Sequence, residues 1–172
     1  MSARAMASVT AMTDVEIRDL CREALYRYCR GVDRLDPASI ASAFHPGAEL
    51  LGYGSQQAIT IEAFVDHVVT ALGQRFVATQ HSVSNVAVDV RDGHAVMEAY
   101  VHAIHVEERE GHRRLHTFHG RYIDRVEPRD GHWRIVQRHL RQDVTMVEDM
   151  GPPMSGDYPR SGRAGTPDPI WD

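Results

Sequence analysis

Three dipeptides organise the second half of the chain. Asp92-Gly93, Glu110-Gly111 and Asp130-Gly131 separate four stretches, at about 81–90, 94–107, 113–126 and 132–146, in which apolar and polar residues alternate. Asp-Gly and its relatives suit the left-handed backbone of tight hairpin turns, and period-two alternation marks half-buried strands. Long strands joined in this way make an antiparallel meander, which must bury one face against something else. The helical segments all precede it, so they are expected to cover that face. The predicted fold class is α+β: a cone-shaped α+β barrel in which a curved antiparallel sheet is covered by three N-terminal helices.

The first half supplies those helices. Thr13 and Glu16 form a T-x-x-E capping box, after which Ile17, Leu20, Cys21, Ala24, Leu25, Tyr28, Cys29 and Val32 fall on one helical stripe. Asp36-Pro37 supplies an N-cap and first-turn proline for a short second helix carrying Ile40, Ala43 and Phe44, and His45-Pro46-Gly47 is expected to close it. Ala48 to Tyr53 reads as a strand, and Gly54 to Gln57 as a turn. Thr60 caps a third helix with Phe64, Val68, Ala71 and Leu72 inward, and a loop is expected from Gly73 to Thr79. At 172 residues the chain suits one core. Residues 13–147 are taken as that domain, 1–12 as a disordered N-terminus, and 148–172, with five of the eight prolines, as a tail.

Several function classes lose support. A formal net charge of −5 lacks the basic surplus that phosphate backbones attract, so nucleic acid is not an expected partner. No apolar run approaches the length of a membrane helix. Cys21 and Cys29, eight apart on a helix, lie about 12 Å from each other, beyond disulfide reach. They read as reduced core residues, which favours the cytoplasm. Among 11 histidines, the pairs His102/His105 and His116/His119 are three apart, which on a strand sends the two rings to opposite faces, so no metal site is expected. P-loop, dinucleotide-fold and serine-hydrolase motifs are absent.

On the second long strand Ala95, Met97, Ala99, Val101, Ala103 and His105 form the set expected to face the helices. On the third, Phe118, Gly120 and Tyr122 do so, with Gly120 expected to leave room for a ligand. On the last, Arg134, Arg138, Leu140 and Gln142 oppose Trp133, Ile135 and Gln137, and a bulge there could switch faces. The opposite faces, rich in His, Tyr and Arg, suit a subunit interface.

Four segments, Tyr28 to Asp36 (YCRGVDRLD), Phe44 to Leu50 (FHPGAEL), Gln80 to Val86 (QHSVSNV) and Asp130 to Ile135 (DGHWRI), occur in an order that resembles the SnoaL-like branch of the nuclear transport factor 2 fold. Over roughly residues 13–147 the chain is similar to scytalone dehydratase, bile acid 7α-dehydratase and hexachlorocyclohexane dehydrochlorinase. The resemblance implies a cofactor-free lyase in which Asp33 orients His81 and stabilises its cationic form, His81 takes a proton from substrate carbon, and Tyr28 assists the leaving hydroxyl. It implies that Arg138 supports the pocket or an oxyanion. The scytalone dehydratase pattern has a second pocket histidine on the second long strand, for which this sequence offers either His102 or His105.

Elementary chemistry supports the pair: a carboxylate bonded to one imidazole nitrogen fixes the tautomer and leaves the other as a base. Tyr28, about 500° around the helix from Asp33, lies on a neighbouring stripe and serves equally well as a core residue. Tyr53, Val101, His105, Phe118, Tyr122 and Leu140 join Arg138 as expected substrate contacts, although Tyr53 and His105 also suit an interface. His45 is expected to close a turn, and Asn85 to satisfy backbone groups at a bulge. The expected partner is a small, hydrophobic, cyclic molecule such as a steroid, polyketide or aromatic, with no cofactor, in a homo-oligomer of two or three copies. Two alternatives share the fold: a double-bond isomerase using the same dyad, and a noncatalytic ligand-binding or assembly module like the small subunit of ring-hydroxylating dioxygenases.

Overall fold

The structure, a computed structural model, describes residues 12–152, 155–156 and 161–163. The predicted disordered segment at 1–12 lies outside them save for Met12, as does most of the predicted tail. Helix α1 (Asp14–Arg34) begins at the anticipated capping box, with the Glu16 amide donating to Thr13 Oγ1 at 3.3 Å and the Thr13 amide to Glu16 Oε2 at 2.7 Å. Its buried stripe runs from Ile17 through Cys21, Leu25 and Tyr28 to Val32. Helix α2 (Pro37–Ser42) follows, capped by Asp36, which accepts from the Ala38 and Ser39 amides at 3.0 and 3.1 Å. A side chain at Gly31 would place its Cβ 2.7 Å from the Ile40 nitrogen, so the close approach of α1 and α2 requires glycine there.

Strand β1 (Phe44–Leu51) starts earlier than the predicted 48–53. The Ile135 amide donates to the Ala43 carbonyl at 3.0 Å, drawing the chain into the sheet as soon as α2 ends. His45 is therefore a buried strand residue rather than a turn closer, and its Nε2 lies 2.9 Å from the Glu127 carbonyl. After the two-residue strand β2 (Ile59–Thr60), helix α3 (Ile61–Arg75) runs directly into β3 (Phe76–Arg91). The expected loop at 73–79 does not form, because helix hydrogen bonding persists to Phe76, whose amide bonds the Leu72 carbonyl, and sheet pairing to Glu107 begins at the same residue.

Strands β4 (His94–Arg109), β5 (His112–Arg129) and β6 (His132–Asp149) complete a six-stranded sheet in the order β2-β1-β6-β5-β4-β3. Its pairs are antiparallel except β1 with β6. Glu110-Gly111 and Asp130-Gly131 both carry positive φ at each residue, as two-residue hairpin turns of the primed type require. Register shifts curve the sheet, among them one in β3 between Ser84 and Ala87, where Asn85 has φ 50°, and two where β6 slips past β5 near Val136 and Asp143. The Val136 bulge puts Ile135 and Arg138 on one face. The concave face carries Ala95, Met97, Ala99, Val101 and Ala103 of β4 against Cys21, Leu25, Tyr28 and Val32 of α1 and Phe64 of α3.

Candidate active site

Asp33 lies in the last turn of α1, and His81 faces inward from the early part of β3. Both oxygens of the carboxylate engage the histidine: His81 Nδ1 donates to Oδ1 at 2.7 Å, and its backbone amide donates to Oδ2 at 2.9 Å. The imidazole side chain is only 8% exposed and the carboxylate 23%. A carboxylate can only accept, so Nδ1 carries a proton, and in the neutral ring Nε2 is the nitrogen that presents a lone pair. Helix and strand are thereby locked together through the side chain that sets the tautomer.

Register decides which other histidine joins them. His81 pairs with Ala103 and Thr79 with His105, so the His105 ring projects from the same face. The two rings meet edge to face, with centroids 5.4 Å apart at 89°. Burial, with His81 adding to it, pulls the His105 pKa down to about 4, so the ring is neutral at neutral pH. His102 takes the opposite face and stacks on His119 at 4.4 Å and 8°. His105 is thus the second histidine beside the pair. Phe76 packs between His105 and His116, at 4.9 and 5.3 Å, and His116 Nε2 lies 2.8 Å from Glu107 Oε2. The Glu107–His116 pair was missed in the sequence, where the eight residues between them cross a hairpin.

Arg138 reaches the concave face but sits beneath it. Its Nε and Nη2 donate to the two oxygens of Asp124, both at 2.7 Å, and neither side chain is measurably exposed beyond 1%. The guanidinium sits in the corner between the perpendicular rings of Tyr28 and Tyr122, 4.2 and 4.1 Å from their centroids. Such a charge is retained because it is paired and stacked. Tyr28 is fully buried, and burial pushes its hydroxyl well above the ordinary phenol range, so it stays protonated; it shares a 3.3 Å hydrogen bond with the hydroxyl of half-buried Tyr53. Val101 and Tyr122 are likewise core residues, whereas Phe118 and Leu140 are half-buried at its edge. Gly120 does not open space as expected. A Cβ there would strike the Arg141 carbonyl and stand 2.8 Å from the Phe118 ring, because the Asp143 bulge brings β6 over it.

A cavity of about 820 Å³ opens between the last turns of α1, the first half of β3 and the adjoining ends of β4 and β5. Asp33, His81 and Val83 line it, and Ser161 to Arg163 contribute a wall, with Arg163 Nη2 donating to the Phe76 carbonyl at 2.8 Å. Of the predicted site residues, Asp33 and His81 are the two that line this cavity; the others lie behind it or along the core. Among the described residues no group of His, Cys, Asp or Glu is arranged to hold a metal ion, and no helix is long and apolar enough to cross a membrane. Cys21 and Cys29 are buried free thiols, their pKa values raised by burial to about 11 and about 12.

The sequence profile of the SnoaL-like domain family matches residues 13–139, a span that holds Asp33, His81, His105 and Arg138. The chain belongs to this family. Solved structures resembling this SnoaL-like protein agree on its fold. One from Novosphingobium aromaticivorans DSM 12444, provisionally named a scytalone dehydratase, is 25% identical with a TM-score of 0.66, covering 90% of this chain and 96% of its own. A type 3 hexachlorocyclohexane dehydrochlorinase from Novosphingobium barchaimii LL02 is 19% identical with a TM-score of 0.69, over 81% and 97% of the two chains. A nuclear transport factor 2-like superfamily protein from Salmonella enterica serovar Typhimurium LT2 is 20% identical with a TM-score of 0.63, over 84% and 96%. The fold is therefore that of the nuclear transport factor 2-like superfamily. Comparison with curated proteins gives no match.

Proposed function

We propose that this SnoaL-like protein is a cofactor-independent lyase that eliminates water, or a similar leaving group, from a small cyclic substrate. The observation that carries the reading is the double engagement of Asp33 with His81, ring and backbone together, at the wall of an 820 Å³ cavity. In this mechanism His81 Nε2 removes a proton from a substrate carbon, the C–H electron pair becomes the new double bond, and the bond to the departing oxygen breaks. The departing oxygen takes a proton from solvent in the cavity, and protonated His81 returns its own to solvent, while neutral His105 packs edge to face against the His81 ring. General acid–base catalysis of this kind contributes about 10²- to 10⁴-fold. The names of the neighbouring structures, a dehydratase and a dehydrochlorinase, support an elimination.

In this reading Tyr28 is a positioning residue: it holds the Tyr53 hydroxyl and forms one wall of the aromatic corner that holds Arg138. The outer sheet face, where the stacked His102 and His119 lie near exposed Tyr100, Val144 and Met146, is read as a contact between copies in a cytoplasmic homo-oligomer. Light scattering checks this; a Val144→Glu variant that leaves the mass unchanged at a single copy per particle excludes it.

Screening hydroxylated steroids, polyketides and aromatics for mass loss tests the activity. His81→Ala is expected to abolish turnover while leaving the circular dichroism spectrum intact. Full activity in that variant overturns the mechanism, and a product of unchanged mass replaces elimination with isomerisation.

A further inference from the structure

Every residue of β6 from Arg141 to Asp149 is exposed, and the pairing of this strand with β1 stops at His139. Beyond that point the edge of β6 that faces away from β5 has no partner strand among the described residues. Such an edge presents a row of unpaired backbone donors and acceptors, which is a template for another strand unless it is blunted. This one carries Val144, Met146 and Val147, exposed by 50, 45 and 57%.

The side chains along the edge complement one another when the strand is reversed. Antiparallel strands related by a two-fold axis through the sheet set one residue opposite its own copy. With Asp143 bulged out of the ladder, Thr145 in that place puts Val144 opposite Met146, Gln142 opposite Val147 and Arg141 opposite Glu148. The members of each pair share a face, since β5 pairing turns Thr145, Gln142 and Val147 to the side of Phe118 and the others to the side of His119. Arg141 and Glu148 make no ion pair among the described residues, whereas Asp143 and Asp149 are held by Arg121 and Arg114. Centring on Val144 or Met146 instead sets a charged side chain against an apolar one.

We propose that two copies of this chain join through β6, antiparallel about Thr145, so that their sheets run on as one. This rests on the reading of a homo-oligomer, and it fixes that oligomer at two copies joined edge to edge. His81, Ala103, Phe118 and Thr145 lie side by side on successive strands, so the second copy continues this row from its own Thr145. At about 4.8 Å per strand the two His81 residues stand about 34 Å apart along one continuous sheet.

Disulfide capture on the full chain tests the register. Cα atoms directly opposite each other are about 4.5–5.5 Å apart, within disulfide reach, whereas the two copies of Met146 stand about 8 Å apart, beyond it. Under mild oxidation Thr145→Cys is expected to give linked pairs of chains and Met146→Cys is not; the native Cys21 and Cys29 are buried. Sedimentation across a concentration series supplies a second readout without a cross-link. Arg141→Glu, which faces Glu148 of the second copy with a like charge, should weaken pairing about ten-fold, and Arg141→Glu/Glu148→Arg should restore it. Failure of Thr145→Cys to link in preference to Met146→Cys, an unchanged dissociation constant in Arg141→Glu, or a particle of three copies overturns the edge pairing and leaves the homo-oligomer standing. A single-copy mass at every concentration overturns both.

Discussion

Replacing Asp33 by asparagine removes one charge and almost no volume, so its consequences isolate what the carboxylate does for His81. The wild-type group accepts twice, from Nδ1 at 2.7 Å and from the His81 amide at 2.9 Å. An asparagine offers one acceptor and one donor. The backbone amide cannot change its polarity, so the asparagine oxygen must face it, and the NH₂ group then points at Nδ1. That nitrogen has to accept, the ring proton moves to Nε2, and the lone pair facing the substrate disappears. Hydrogen bonds to charged groups contribute about 1.5–3 kcal/mol each. With one bond retained in neutral form and the carboxylate 23% exposed, the loss of stability should be about 1–3 kcal/mol. The loss of turnover should be far larger, about 10³- to 10⁴-fold, because a wrong tautomer removes the base entirely. Nitrogen-15 NMR of the imidazole, at a pH where the ring is neutral, reads the tautomer without any substrate. The expected result is Nδ1–H in the wild type and Nε2–H in Asp33→Asn, alongside a small shift in the urea midpoint. A wild-type ring protonated at Nε2 would refute the reasoning at its root, whatever the activity.

Three further perturbations test the surroundings of the pair. The His105 pKa is pulled down to about 4 in the folded state against 6.5 in the free side chain, so the unfolded chain binds the extra proton first; stability falls as pH drops from about 6.5 towards about 4, by about 3.4 kcal/mol at most. His105→Gln should flatten that part of the stability profile in urea titrations, and an unchanged slope would show that another group is responsible. Arg138→Met leaves Asp124 charged and buried, and should cost about 3–5 kcal/mol in chemical denaturation, while Arg138→Met/Asp124→Leu recovers much of it; equal stability of the two variants argues that the pair is not the source of the cost. Gly120→Ala forces a methyl against the Arg141 carbonyl and the Phe118 ring, and should lower stability by about 1–3 kcal/mol in thermal melts; a neutral outcome means the Asp143 bulge relaxes freely.

The elements that sequence made legible are those fixed by local chemistry. The Thr13 capping box, the Asp36 cap before Pro37, and the Glu110-Gly111 and Asp130-Gly131 turns each bind residues within four positions of one another, so their signature is compact in the chain. The strand faces followed as far as alternation held. The dyad was legible through resemblance: Asp33 and His81 are 48 residues apart, and neither helical nor strand periodicity brings them together. Only docking of the α1 end against β3 does.

What stayed hidden depends on bulges and on pairing partners. Alternation alone leaves open whether Arg138 shares a face with Ile135, and the slip at Val136 decides that it does; Asp124 then becomes its partner through the β5–β6 register. The same logic separates His105 from His102. Their spacing puts them on opposite faces and alternation sets His105 with the inward residues, but that it meets His81 follows from the pairing of Thr79 with His105, set by a strand that starts at Phe76 without the expected loop. Gly120 is the sharpest case. Its lack of a side chain suggested space for a ligand, yet the neighbouring backbone occupies that space because β6 carries an extra residue, Asp143, directly after Gln142, the partner of Gly120. A glycine in a strand therefore marks close approach of something, and only the register says whether that is a ligand or the next strand. For this chain it is the strand, which moves the open volume towards the end of α1, where Asp33 and His81 stand.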